Sequence, residues 1–278
     1  MKKILGIIGS PRRLGNCEIM VKEISRHILV PHELQLLRLQ DFNILPCRAC
    51  YICLKKEGRC KQDDDFYTIL NSIIEADALI LSAPAYFLGA NSCLKKFMDR
   101  GLAFYAHIEK LWGKPSVGTG IAGIEGNEGS TLLNIESFLK FIYSEGKKCV
   151  MVYGSLPGEI FFNEENKKMA ANLAAALFEP MPENTESCCP ICGGTTFRFT
   201  ENRRIHCMLC SNSGEIILQS GNPVFRIKND KLKLFASKRD ALRHRDLIAG
   251  MMDTFIKQKN KLKDIIGTYK EEGNWIKP

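Results

Sequence analysis

Eight of the chain's twelve cysteines fall into two clusters whose spacing suits metal ligation. The first runs Cys47-x2-Cys50-x2-Cys53-x6-Cys60. Thiols strung so closely on an irregular loop can wrap one iron–sulfur cubane, which prefers four cysteine thiolates. Reduced thiols in a loop are the alternative reading of the same run. The second cluster pairs Cys189-Pro190-Ile191-Cys192-Gly193 with Cys207-Met208-Leu209-Cys210, two knuckles separated by 14 residues. That interval is close to the spacing of zinc sites, and four thiolates on two knuckles make the tetrahedron that Zn2+ favours. Rubredoxin-type iron shares the Cys-Pro-x-Cys-Gly knuckle, but the interval is short for that fold. A module this small needs its metal to fold. Cys188 and His206 adjoin the knuckles and are read as non-ligands.

A third constellation is a phosphate loop. Gly9-Ser10-Pro11-Arg12-Arg13-Leu14-Gly15-Asn16 follows an apolar β-branched run and precedes a helical pattern. A doubly wound sheet presents a helix N-terminus to phosphate at that position. Ser10 offers a hydroxyl and Arg12 a charge, while Gly15 and Asn16 let backbone amides turn inward as an anion nest. The phosphate of FMN suits such a loop, and a plain strand–helix turn is the alternative. Pro84, Tyr86 and Phe87, in the run 82–89, supply the flat apolar wall that an isoalloxazine ring needs, with amides nearby to tune its edge. Residues 118–123 spell G-x-G-x-x-G, but no helix follows at once, so the dinucleotide fingerprint is set aside.

These runs carry a resemblance. Gly9-Ser10-Pro11-Arg12-x-x-Gly15-Asn16 resembles the G-S-P-R-x-x-G-N-[TS] signature of NADPH-dependent FMN reductases and iron–sulfur flavoproteins. Cys17 stands where that signature has Thr or Ser. A thiol serves phosphate less well than a hydroxyl, so backbone contacts must carry this position. Residues 82–88 resemble the family's S-P-x-Y-[FW]-x-x loop along the flavin ring. Leu94-Lys95-Lys96-Phe97-Met98-Asp99-Arg100 resembles its L-K-x-F-x-D-R helix, and Asp63-Asp64-Asp65-Phe66 its D-D-[MF] helix start. The resemblance covers residues 1–178. It implies FMN held by Ser10, Arg12, Gly15, Asn16 and Cys17, by Pro84, Ala85, Tyr86, Phe87 and Leu88, and by Thr119, Gly120, Ala122 and Gly123. The first cysteine run is similar to that of iron–sulfur flavoproteins, which implies a [4Fe–4S] cluster on Cys47, Cys50, Cys53 and Cys60. Relatives that look like plain FMN reductases carry a similar loop.

The elements that must position these residues follow from apolar periodicity. Strands are expected at 3–8, 33–39, 78–82, 116–121 and 148–153, the third stopped by Pro84. Helices are expected at 16–29, 65–76, 91–104, 128–144 and 163–178, the last capped by Asn163. Strict alternation predicts an α/β fold, a flavodoxin-like, doubly wound, five-stranded parallel sheet covered on both faces. Pro180-Met181-Pro182-Glu183-Asn184 breaks the pattern. We therefore expect a flavodoxin-like FMN-binding domain over 1–180 and a zinc-ribbon-like module over 186–217. A basic arm and helix would occupy 218–278, with strands or an extended arm at 215–234. The helix, at 237–266, carries the stripe Leu247, Ile248, Met251, Met252, Phe255, Leu262 and Ile266, which packs on the parent domain or on another subunit.

Hydrophobic residues make up 45% and charged residues 25%, an ordinary globular balance that leaves room for a core. The apolar run at 4–8 is too short for a secretory leader and nothing approaches a membrane span, so a soluble cytoplasmic protein without disulfides is expected. The net charge is +8, and residues 221–278 hold 14 basic against 7 acidic residues. That tail reads as a solvated helix face or as a dock for an acidic partner such as a ferredoxin, for NADPH, or for nucleic acid.

The chemistry would lie with the flavin, and no side-chain acid or base is needed. His27, His32, His107, His206 and His244 read as packing or surface residues. The first expectation is an FMN-dependent oxidoreductase passing electrons between a [4Fe–4S] cluster and FMN. The donor would be ferredoxin or NAD(P)H, and the acceptor a quinone, an oxygen species or another small oxidant. The second is an NAD(P)H-dependent FMN or quinone reductase without a cluster. A zinc-ribbon redox sensor or nucleic-acid-binding regulator is the third, weakened because only Arg198, Arg203 and Arg204 lie in the ribbon as base-reading candidates. A homodimer or homotetramer with the flavin near a subunit interface completes the expectation.

Overall fold

The computed structural model describes residues 1–54, 58–179, 188–201, 204–219, 222–228 and 237–276. The interruption expected at 180–184, Arg203 and residues 229–236 lie outside the described residues. The first sheet is built from β1 (Lys2–Ile8), α1 (Asn16–Arg26), β2 (His32–Arg38), α2 (Phe66–Glu75), β3 (Ala78–Tyr86), the two-residue β4 (Gly89–Ala90) and α3 (Ser92–Met98). The chain goes on through α4 (Ile108–Leu111), β5 (Pro115–Ala122), α5 (Thr131–Phe141), β6 (Glu145–Tyr153) and α6 (Glu164–Ala176). Five strands run parallel in the order β2-β1-β3-β5-β6, with β4 folded back antiparallel onto β3. That is the flavodoxin-like order, whose switch point lies between β1 and β3.

Alternation along the central strands loads both faces. Ile4 and Ile8 of β1 and Ile80 of β3 pack with Met20, Val21 and Ile24 of α1 and Leu173 of α6. Leu5, Ile7, Leu79 and Leu81 face the other way, toward α2, α3 and α5. There Phe66, Phe97, Phe104 and Phe138 form an aromatic cluster with ring centroids 5.1–5.9 Å apart. Two glycines set how close the helices come. A Cβ on Gly6 would lie 2.4 Å from Val21 Cγ1, and one on Gly118 would lie 2.5 Å from Ile135 Cγ2 and 2.9 Å from Cys149 Sγ. Gly118 and Gly120 thus serve packing inside β5, in keeping with the setting aside of the G-x-G-x-x-G run.

Several boundaries differ from expectation. β3 runs through Pro84 to Tyr86 instead of ending at Ser82. Its pairing with β1 ends at Ser82, so no neighbour on that side requires the missing Pro84 N–H. The helix expected at 91–104 is α3 followed by a 3-10 turn, Gly101–His107, because the chain tightens where Arg100 turns into the core. α5 is shorter than 128–144, bounded by left-handed Gly129 and Tyr143.

A second, antiparallel sheet holds β7 (Phe197–Phe199), β8 (Arg204–Cys207), β9 (Ser213–Gln219) and β10 (Asn222–Ile227), ordered β10-β9-β8-β7. α7 (Lys238–Gly267) follows, with Ser237 as N-cap accepting from Asp240 N. Its start docks on the first domain. Ala241 is fully buried, Tyr105 Oη meets His244 Nδ1 at 2.7 Å, and Lys238 pairs with Glu109. Of the expected stripe, Leu247, Met251, Phe255 and Ile266 are about half exposed or more, while Ile248 is partly buried at a groove it shares with Tyr51 and Leu54.

The segment between β2 and α2 carries the first cysteine run, and a buried ion pair closes its base. Asp64, its side chain fully buried, pairs with Arg100. It also accepts from Leu45 N at 2.7 Å and Phe66 N at 3.2 Å. Asp65 adds a bond from Asn43 N at 2.7 Å. Burial pushes the Asp64 carboxyl up, but the Arg100 hydrogen bond and charge and the two amides outweigh it and hold it below its ordinary 3.8.

Two outcomes are expected. Gly118→Val should lower stability by about 1–3 kcal/mol through overpacking, read as a drop in urea midpoint. A carboxyl held below its unfolded value stabilises the fold above that value and loses this contribution as pH falls through the folded one. Wild type should therefore lose an Asp64-dependent share of stability below about pH 4. Asp64→Asn should start less stable at pH 7 and show a flatter pH profile across that window.

Candidate functional site

The carboxyl ends of β1, β3, β5 and β6 bring four loops to one rim, and a cleft of about 230 Å3 opens between them. Ser10, Arg12, Gly15, Asn16 and Cys17 line it from the first loop, Pro84, Ala85 and Tyr86 from the second, and Ile121 and Gly123 from the third. The phosphate loop is held in a fixed shape. Ser10 Oγ accepts from Arg12 N at 3.2 Å, and left-handed Leu14 (φ 51°) donates its N–H to Glu18 Oε2 at 2.9 Å. Glu18 is in turn gripped by Lys22 at 2.6 Å and Arg38 at 2.7 Å. Burial raises its carboxyl, yet Lys22, the Leu14 amide and Arg38 prevail and keep it ionised below the usual range. α1 opens at Gly15 with no side-chain cap. Its first-turn amides are therefore available to an anion.

Beneath the cleft runs a buried polar chain. Thr119 Oγ1 donates to Ser82 Oγ at 2.7 Å, and Ser82 hydrogen-bonds the Cys17 thiol. Burial pushes that thiol up to about 12, so Cys17 points into the core as a neutral group and offers the cleft its backbone. Thr119, Gly120 and Ala122 lie inside β5 below the rim and do not line the cleft. Phe87 and Leu88 do not line it either. They stand exposed on its outer edge in left-handed conformations (φ 48° and 62°), held because Ser130 N and Oγ both donate to Leu88 O.

One loop escaped the sequence reading. Gly154, Ser155 and Pro157 complete the cleft. Asn16 ties them in: its Nδ2 donates to Gly154 O at 3.0 Å and its Oδ1 accepts from Gly158 N at 2.8 Å. The signal available was Gly-Ser-x-Pro-Gly immediately after the last parallel strand, at the same edge as the other loops.

The two cysteine clusters differ in geometry. Cys189, Cys192, Cys207 and Cys210 have all four sulfurs within 4.8 Å of one another. Cys189–Cys210 and Cys192–Cys207 are 3.8 and 3.5 Å apart. Metal–sulfur bonds of about 2.3 Å in a tetrahedron place thiolates about 3.8 Å apart, so this set fits a single ion. The knuckles share a local design. Gly193 N donates to Cys189 O and Ser211 N to Cys207 O, with both Gly193 and Ser211 left-handed. Asn212 Nδ2 donates to Cys210 Sγ at 3.2 Å, and hydrogen bonds from Cys189 and then Cys192 pull Cys207 down to about 7 against the opposing effects of Cys210 and burial. His206 is engaged by Ser213 at 2.6 Å.

Cys47 and Cys50 are exposed, and Cys53 and Cys60 half-buried. Among the described residues this run is not gathered as tightly as the knuckles. A cubane has its irons at separate corners and spreads its thiolates wider than one ion does. The four are nonetheless neighbours: burial, and then the potentials of Cys60, Cys47 and Cys50, push the Cys53 thiol up to about 11. Left-handed Ala49 and Tyr51 (φ 49° and 56°) turn the loop between successive cysteines, and Cys60 N donates to Tyr67 Oη at 2.7 Å. Arg100 and Asp64, which close this loop, were carried in the sequence reading only as parts of motifs.

The model of the NADPH-dependent FMN reductase family matches residues 2–139. An iron–sulfur flavoprotein of Methanocaldococcus jannaschii is 36% identical over 140 residues, spanning 49% of this chain and 70% of that protein. One from Archaeoglobus fulgidus is 30% identical over 184 residues, spanning 64% and 79%. A solved flavone reductase superposes with a TM-score of 0.73 at 18% identity, over 99% of both chains, so the likeness of fold extends through the second sheet and α7. Among the described residues no helix is long and apolar enough to cross a membrane. With its parallel sheet, its rim cleft and these relatives, the chain belongs to the FMN reductase and iron–sulfur flavoprotein family and is a flavin-dependent oxidoreductase.

Proposed function

We propose that FMN sits in the rim cleft and exchanges electrons with a [4Fe–4S] cluster on Cys47, Cys50, Cys53 and Cys60, and that Cys189, Cys192, Cys207 and Cys210 hold a structural zinc. The observation that carries the flavin reading is the uncapped start of α1 opposite Pro84 and Tyr86, which offers amides to a phosphate at one end and an apolar wall at the other. Bound there, FMN supplies both one- and two-electron chemistry. Arg12 and the Asn16–Glu18 amides would hold its phosphate, Ser10 would fix the turn, and Tyr86, with Phe87 at the outer edge, would flank the ring. Asn16 would act through the loops it joins.

The names of the relatives support the cluster, and so does the anchored base of the cysteine loop. The single-ion sulfur spacing supports zinc in the ribbon, and the shared knuckle keeps rubredoxin-type iron as its competitor. Ferredoxin or NAD(P)H is the proposed donor, a small oxidant the acceptor, and the cytoplasm the setting. The half-exposed side of α7 supports a homo-oligomer. Two separate sheets support reading residues 1–180 apart from the module that begins at 186, whereas β9 and its pairing with β10 carry the second sheet across the boundary expected between 186–217 and 218–278. A cluster-free NAD(P)H-dependent reductase is the second reading, favoured by the name of the matching family.

Anaerobically purified protein should contain FMN, four irons with four sulfides, and one zinc per chain, with broad visible absorption beneath the flavin bands. Flavin without iron, rapidly bleached by NADPH alone, would establish the second reading instead. Asn16→Ala removes two hydrogen bonds of about 0.5–1.5 kcal/mol each, so FMN binding to apoprotein should weaken by about tenfold in a fluorescence titration. Cys207→Ser should abolish zinc and open residues 188–228 to protease while FMN content persists; retention of zinc in that variant would refute the ribbon site.

A further inference from the structure

Arg100 uses only part of its guanidinium in closing the cysteine loop. Its side chain is 1% exposed. Nη1 serves Asp64 and lies 3.4 Å from Leu45 O, and the guanidinium carbon sits 4.3 Å over the Phe66 ring. Nε and Nη2 are buried and find no acceptor. A buried charged donor left unmatched is costly, and such an orphan in a native fold calls for a partner. Cys60 is the neighbour that can provide one. Phe66 beneath the guanidinium, Tyr67 against Phe66 and the Cys60 amide on Tyr67 form one continuous run from Arg100 to Cys60. Cys60 is itself held, by its amide on Tyr67, whose ring lies edge-on to Phe66 at 5.2 Å and beneath Arg59 at 4.9 Å.

We infer that Arg100 is a positioning residue for the sulfur centre of this loop, its spare N–H groups donating to sulfur at Cys60 and setting how readily the bound cluster is reduced. The inference rests on the proposed cluster. Four thiolates and the cluster's sulfides make a net-negative centre, and hydrogen bonds to those sulfurs raise its reduction potential. A guanidinium fits because it is always charged and its planar fork can serve a carboxylate with one edge and sulfur with another. The two motifs meet in this pair. Asp64, from the D-D-[MF] start, holds one side of Arg100, from the L-K-x-F-x-D-R helix, and leaves the other side free.

Three variants separate this role from simple structural support. Arg100→Lys keeps the charge without the fork. Arg100→Gln leaves Asp64 buried and unpaired, so Asp64→Asn combined with Arg100→Gln restores an uncharged pair. Each would be reconstituted anaerobically with iron and sulfide, checked for FMN content and circular dichroism, and titrated by EPR. The expected result is a lower cluster midpoint potential in every folded variant, with the flavin potential unchanged. In wild type labelled with 15N-arginine, the reduced cluster should show hyperfine coupling to arginine nitrogen, a readout independent of any variant's folding. An unchanged midpoint in the folded variants, or no such coupling in the wild-type cluster, overturns the inference alone. A wild type that takes up no iron and sulfide overturns the cluster reading and the inference with it.

Discussion

Direction of travel through the sheet governs the rest of the molecule. Five strands run the same way, so every carboxyl end emerges on one edge and every crossover must climb back over a face. Both faces are therefore covered, which is why Ile4 and Ile8 pack on α1 while Leu5 and Ile7 pack among the phenylalanines of the opposite layer. With side chains committed on both faces, chemistry is left to the rim. Even the polar groups that reach inward there, Thr119, Ser82 and Cys17, satisfy one another in a short chain. The rim itself offers mostly backbone. That matches a cofactor which brings its own reactivity and asks the protein for a phosphate nest and a flat wall.

The two cysteine clusters illustrate two ways of presenting thiolates. In the ribbon the cysteines sit on two knuckles of the same local form, each closed by the amide of the fifth residue, which is left-handed. The sulfurs consequently converge to the spacing of a single ion. In the 43–65 loop only the base is fixed, by Asp64, Asp65 and Arg100, while Cys47 and Cys50 stay exposed. Burying the Asp64–Arg100 pair is expensive, and the Leu45 and Phe66 amides on Asp64 offset part of that cost. The pair draws Leu45, Phe66 and the end of α3 to one point, which brings the cysteine loop against the aromatic layer of the core.

Much of the fold was legible in apolar period because the central strands are buried on both faces and the helices on one. The errors fall where context overrides local preference. Pro84 reads as a terminator, yet it continues β3 because its neighbour on one side has already ended. Phe87 reads as part of the ring wall by residue type, but its left-handed backbone turns it to the outer edge. Asn16 reads as part of the phosphate turn, and the ties of its side chain to Gly154 and Gly158, a loop 138 residues away, leave no trace in the sequence. Arg100 enters the sequence reading only as the last letter of a helix motif, and its buried pairing with Asp64 depends on a contact 36 residues apart. Contacts of that range leave no mark in a window of ten residues.

Strain and exposure coincide around the cleft and the cysteine loop. Leu14, Ala49, Tyr51, Phe87 and Leu88 are all left-handed without being glycine, a conformation that costs of order 1–3 kcal/mol at each. Surrounding bonds impose it: Glu18 on Leu14, Ser130 on Leu88. Four of the five also carry large apolar side chains that remain exposed. A chain folding for stability alone would place glycine or asparagine at such turns and bury the hydrophobes. Keeping leucine, tyrosine and phenylalanine there preserves an apolar collar around the cleft and the thiols. The groove between Cys50, Tyr51, Leu54 and the Met251–Phe255 side of α7 extends the same apolar character away from the cysteine loop. The residues that look least favourable for the isolated chain are thus those that border the cleft and the exposed thiols.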